Sequence, residues 1–190
     1  MPARTARSSD DAQWRSSPDT SRALVIRTRV DEQFLAVEQQ HQRIVAFCRS
    51  AVALASMPSS DLVRGLSDID FFLLSLRRLQ RACELVRRSA LPTGSLRQAM
   101  ATFDRQVSPV TGVRNALEHL DATAVSGNAG FGYGLGEDRV IITHNGTRLD
   151  TMTLFIAAQD VHAAIRLVVD PIAAADVHGQ HPIIVLPGSA

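Results

Sequence analysis

From Asp31 onward, apolar residues return every three or four positions: Phe34, Val37, Ile44, Cys48, Val52 and Ala55, with His41 in the one missing place. That spacing lines one side of a helix and predicts a long amphipathic element, capped at Asp31 and closed before Pro58. Leu24 to Val30 stays open to two readings, a short extended segment or the lead-in to that helix. His41 reads as a boundary histidine rather than a ligand. Ser67-Asp68-Ile69-Asp70 has the form of a capping box with Asp in place of Glu, and predicts the start of a second helix. Its stripe is Ile69, Phe72, Leu73, Leu76, Leu79, Cys83, Val86 and Ala90, and Pro92-Thr93-Gly94 ends it.

Ser95-Leu96-Arg97-Gln98 is a further capping box, opening a shorter helix with Leu96, Ala99, Met100, Phe103 and Val107 inward. Ser108 and Pro109 supply an N-cap and a first-turn proline for the next helix. Because proline disfavours helical geometry in the residue before it, a break or kink is expected there. Gly127 to Gly136 alternates glycine with Phe131, Tyr133 and Leu135; it predicts a flexible loop, since the dinucleotide-binding spacing is absent. Arg139 to His144 is β-prone, and Asn145-Gly146 is a two-residue hairpin signal leading into Thr147 to Leu154. The last helix is expected over about residues 157–175, with Val161, Ile165, Val168 and Ile172 inward and Pro171 kinking or ending it. The fold class expected is all-α in the main. Four to five helices form an up-and-down bundle, with a small β-hairpin before the last helix. Residues 1–22 form a disordered leader, 23–175 a single domain and 176–190 a flexible tail.

Composition narrows the classes. The chain has 190 residues, 45% hydrophobic and 21% charged, which suits one globular domain with tails. The longest apolar runs are too short for a membrane span, and Met1 to Arg22 lacks the apolar centre of a signal peptide, so a cytoplasmic protein without membrane contact is expected. Cys48 and Cys83 fall on the stripes of different helices and are expected as buried free thiols. All twenty basic residues are arginine, and the net charge is only +1, which argues against a strongly basic nucleic-acid binder. The distribution is uneven, with eight Arg against five acids over residues 61–110 and three Arg against six acids over 126–190. Arg77, Arg78, Arg81, Arg87 and Arg88 decorate the second helix. A solvated face is the default for such a run; Arg77, Arg78, Arg81 and Arg88 as an RNA-backbone footprint is the functional alternative. His178 and His181, near Asp176, would need further convergent ligands to hold zinc. No metal and no cofactor are expected.

Chemistry concentrates in Val113-Arg114-Asn115-Ala116-Leu117-Glu118-His119-Leu120-Asp121. On a helical wheel Val110, Val113, Leu117, Leu120 and Ala124 face the core, Asn115 points directly away from it, and His119 lies about 40° from Asn115. Two readings follow. In one, Arg114 and Glu118 form an exposed ion pair and Asn115 and His119 are merely solvated. In the other, the small residues Ala116, Ala122 and Thr123 let a second helix approach, and the polar groups work in the seam between two copies.

Arg114-Asn115-Ala116-Leu117-Glu118-His119 resembles the Arg–polar–x–x–x–His motif of the HEPN superfamily, helical proteins of which many are ribonucleases. With four intervening residues and an Asn after the arginine, the stretch keeps the family pattern. The resemblance implies a HEPN-like bundle and a metal-independent endoribonuclease whose active site forms where two motif helices meet in a homodimer. It implies cyclic phosphate and 5′-hydroxyl products. A toxin or defence role, with an antitoxin or regulatory protein as partner, rests on family analogy alone. His119 is then the proton-transfer residue, having an unperturbed pKa near ~6.5, and Arg114 the phosphate clamp. Asn115 orients phosphate or imidazole, while Glu118 and Asp121 position Arg114 or complete a surface ion pair. The competing expectation is a non-catalytic helical dimer that binds a partner protein or a nucleotide.

Overall fold

The computed structural model describes residues 18–53, 58–89, 94, 96–118 and 130–169. Of these residues 78% are helical, and a small three-stranded antiparallel sheet completes the fold. The elements run α1 (Pro18–Ala53), α2 (Ser59–Arg88), α3 (Arg97–Val107), α4 (Val110–Glu118), β1 (Phe131–Leu135), β2 (Val140–His144), β3 (Thr147–Asp150) and α5 (Thr151–Val169).

α1 is longer at its start than the sequence pattern suggested. Leu24 to Val30 is helical, and the helix takes in Pro18 to Arg22 from the expected leader. Proline is tolerated in a first helical turn, and Ala23, Ile26 and Val30 extend the buried stripe of Val37, His41, Ile44 and Cys48 without a change of phase. Asp31 accordingly lies inside the helix and does not cap it.

The start of α2 is a second correction. It opens at Ser59, directly after Pro58, with Asp61 in the first turn against the positive end of the helix dipole. The Pro58 carbonyl accepts from the Asp61 and Leu62 amides at 3.0 and 3.2 Å. Ser67, expected as the cap, is about two turns further on and donates its hydroxyl to the Val63 carbonyl at 3.0 Å, an i to i−4 bond within the helix. Gly65 lets α1 come close, since a Cβ there would stand 2.3 Å from the Phe47 ring. Phe47 meets Gly65, His41 meets Phe72, and Arg29 and Arg81 line one cleft, so α1 and α2 run antiparallel.

Ile69, Phe72, Leu73, Leu76, Leu79, Cys83 and Val86 of α2 are buried as their periodicity requires, as are Leu96, Met100, Phe103 and Val107 around α3. A break separates α3 from α4 at Ser108 and Pro109, although Ser108 keeps helical angles (φ −50°, ψ −45°) and donates to the Asp104 carbonyl. Both cysteines are free and buried. Apolar surroundings push the Cys83 thiol up to about 12, so it stays an uncharged core side chain.

The third correction concerns residues 131–135, expected in a loop. They form β1, whose alternating glycines leave Phe131, Tyr133 and Leu135 on one face. Phe131 pairs with His144 and Leu135 with Val140 across to β2, and the Phe131 and His144 rings stack at 4.2 Å. Asn145 (φ 47°) and Gly146 (φ 78°) make the tight turn between β2 and β3, both in the left-handed region that a primed hairpin turn needs. β3 stops at Asp150 instead of running to Leu154. The Asp150 carboxylate accepts from the Met152 and Thr153 amides at 2.9 and 3.3 Å, so the chain turns directly into α5, six residues before its expected start. The hydroxyl of Thr151 also accepts from the Val140 amide, tying helix to sheet.

α5 amends the expectation about apolar length. Over an 18-residue window its mean hydropathy is 1.4, long and apolar enough by composition to cross a membrane. It also carries Asp160, His162 and Arg166, and its buried side (Leu154, Ala157, Ala158, Val161, Ile165) packs on α1 and α3.

Candidate functional site

Val110 and Val113 anchor α4 in the core, and Leu117 packs half-buried beside them. That orientation is the one the wheel requires, and it turns Asn115 to solvent. Arg114 and Glu118, one turn apart, form the expected ion pair, with 29% and 47% of their side chains exposed. An exposed pair of this kind stabilises a helix by only about 0.3–0.5 kcal/mol, so Arg114 can leave Glu118 for a stronger anion at little cost. α4 packs against α2. His119 and Asp121 lie outside the described residues, as do Ala122, Thr123, Ala124, Asp176, His178 and His181. Among the described residues no group of three His, Cys, Asp or Glu side chains has a metal-holding arrangement.

The arginines of α2 divide. Arg77 donates to Gln80, Gln80 to Asp104 of α3 at 3.1 Å, and Arg87 bridges Glu84 and Asp104. This network staples α2 to α3. Arg78, Arg81 and Arg88 are exposed, and no carboxylate among the described residues stands within ion-pair distance of them.

Sequence reasoning missed a polar cluster that joins α1 to α5. Both oxygens of Asp31 are engaged: Oδ1 with His162 Nε2 at 2.8 Å, and Oδ2 with Arg166 at 2.7 Å and Arg27 at 3.6 Å. The His162 ring stacks on Phe34 at 4.1 Å. Phe34 neighbours Phe155 at 6.4 Å, and Phe155 stacks on His41 at 4.0 Å. His41 also meets Phe72, tilted by 45°. Arg27 and Asp31, and likewise His162 and Arg166, stand four apart, which was the available signal. Nothing in local spacing says that two elements 131 residues apart in sequence meet. With its charge shared by two guanidiniums and an imidazole, Asp31 acts as a clamp between helices.

Burial lowers the pKa of His41, outweighing the pull of Asp138 and Asp150, and lowers that of His162, outweighing the Asp31 contact. The Nε2 atom of His41 is buried without a hydrogen-bond partner, so a proton added there would be poorly solvated. With folded values below the unfolded value near ~6.5, the unfolded chain binds more protons in the interval between them. The stability these neutral rings confer is complete above that value and falls as pH drops through it. Melting temperature is therefore expected to decline from pH 7.5 to pH 5, and to decline less in His41→Phe, which keeps a ring in the stack. A melting temperature that rises over that interval, or an identical slope in the variant, would contradict this account.

No family model, curated protein or solved structure matches the chain.

Proposed function

We propose that this chain is a HEPN-like helical protein that acts as a homodimeric, metal-independent endoribonuclease. The observation that carries the reading is the presence of a surface guanidinium and a solvent-facing amide at consecutive positions of one short helix. Arg114 and Asn115 stand side by side on α4, a helix fixed to the core by Val110 and Val113, and His119 is the next residue after its described end. A mostly helical architecture supports the same reading.

In the proposed step His119 takes the proton of the ribose 2′-hydroxyl as that oxygen attacks the adjacent phosphorus. The P–O5′ bond breaks, and the 5′-oxygen leaves with a proton from the second protomer's histidine, giving a 2′,3′-cyclic phosphate and a 5′-hydroxyl. Arg114 holds the phosphoryl oxygens as charge builds on them, with Asn115 orienting the phosphate or the imidazole. Motif side chains supply both proton transfers and the charge stabilisation, so no step passes through a metal. The direct test is incubation of a mixed RNA pool with the purified chain in EDTA, followed by end-group analysis. Cleavage leaving cyclic phosphate ends is the expected result; a folded, dimeric wild type that leaves the pool intact overturns the proposal.

The Arg114–Glu118 pair favours a second reading, since it satisfies the arginine within its own helix. In that case α4 belongs to a non-catalytic dimer that binds a protein partner or a nucleotide, and Arg114→Ala alters assembly with no nuclease activity to lose.

A further inference from the structure

α1 and α2 border a cleft of about 550 Å³, lined by Arg29 and Gln33 from one helix and Arg78, Arg81, Ala82 and Leu85 from the other. Its charge sets it apart from three other clefts among the described residues. Between the same helices, the cleft beside Phe47 sets Arg43 and Arg64 against Asp61 and Asp68. The one beside α3 sets Arg87 and Arg97 against Asp104, and the one at β3 sets Arg105 and Arg148 against Asp150. In the Arg29 cleft no carboxylate lines the wall. Arg78 and Arg81 have no anionic partner among the described residues, and Arg29 is steadied by Glu32 at 3.1 Å.

We propose that this cleft binds the phosphoryl group of a nucleotide-sized ligand. Three guanidiniums present planar forks of N–H donors, the geometry that matches phosphoryl oxygens two at a time. The Gln33 amide adds a neutral donor, and the 44%-exposed Leu85, seated beside the buried Ala82, offers apolar surface for the uncharged body of the ligand. The volume falls within the roughly 300–1,000 Å³ typical of small-ligand sites. Glu32 offsets part of the Arg29 charge, so the uncompensated repulsion is chiefly between Arg78 and Arg81; a bound phosphate removes that repulsion and gains charge-assisted hydrogen bonds. The ligand chemistry is the same for a free nucleotide and for a nucleotide within an RNA strand. This site stands apart from the motif on α4 and does not depend on the nuclease reading.

The test is equilibrium binding of AMP and of a 12-nucleotide single-stranded RNA to the full chain, for wild type, Arg78→Gln/Arg81→Gln and Arg49→Gln. All three replaced side chains are exposed, and unchanged circular dichroism and melting would establish that the variants fold. Expected is binding that weakens at least about 10-fold in the double variant, the size of effect that losing charged hydrogen bonds brings, and holds in Arg49→Gln. AMP bound as tightly as the strand identifies the free nucleotide as sufficient; binding of the strand alone identifies RNA as the source of the phosphate. Affinity equal in wild type and double variant, an equal loss in Arg49→Gln, or no binding of either probe overturns the proposal.

Discussion

His119→Ala is expected to lower cleavage of an RNA pool by roughly 10²–10⁴-fold, the usual contribution of a positioned proton-transfer group. Arg114→Ala should lose about 10²–10³-fold, as removal of a single charge-stabilising donor does elsewhere. The double variant should be little worse than the poorer single one, because a clamp and a proton carrier acting on one phosphate work as a unit. Glu118→Gln distinguishes this from a structural role. The Arg114–Glu118 contact is exposed and weak, so its removal frees the guanidinium without unsettling Val110 and Val113, and cleavage should stay within a few-fold of wild type or rise. Were the ion pair itself the purpose of Arg114, Glu118→Gln and Arg114→Ala would behave alike. Melting temperatures and dimer content measured beside the rates separate lost chemistry from lost assembly. Wild-type cleavage persisting in a folded His119→Ala protein would remove the histidine from the mechanism.

How far the fold could be read from sequence depends on the range of the interaction that decides each element. The α2 stripe from Ile69 to Val86, the inward face of α3 and the Asn145-Gly146 turn are set within a few residues of themselves, and all were legible. Helix starts were less so. Ser67 has the form of a cap, yet nothing breaks the helix between Ser59 and Ser67, and its hydroxyl finds the Val63 carbonyl instead. β1 was hidden because glycine every second residue mimics a loop. The strand exists because β2 offers a partner edge, with Gly132 close against Thr143 and Phe131 stacked on His144. Of the motif, the outward position of Asn115 and the Arg114–Glu118 pair were legible from the wheel, while His119 and Asp121 lie outside the described residues. The arginine cleft was half legible: Arg78 and Arg81 stood out as a charge run, while Arg29 and Gln33 join them only through the antiparallel docking of α1 on α2.

Phe71 and Phe72 offer the sharpest test of that docking, being chemically identical neighbours with opposite surroundings. Phe72 is fully buried and closes the ring series that runs from His162 through Phe34, Phe155 and His41. Phe71, a residue earlier on α2, is 52% exposed. Phe72→Ala is expected to destabilise the protein by about 3–5 kcal/mol. It removes a large apolar group and leaves a space that helices packed on both sides cannot fill. The penalty has a second component. His41 would lose the aromatic edge beside it, water could reach its unpartnered Nε2, and the pKa depression caused by burial should shrink. The variant should therefore be less stable at pH 7.5 while losing less stability than wild type as the pH falls to 5. Phe71→Ala should change stability by about 0.5 kcal/mol or less, as surface substitutions do. Urea unfolding at both pH values measures all of these quantities. Equal effects at the two positions would mean that α2 does not present Phe72 to α1 in solution, and the arginine cleft formed along the same helix pair would lose its geometric basis with it.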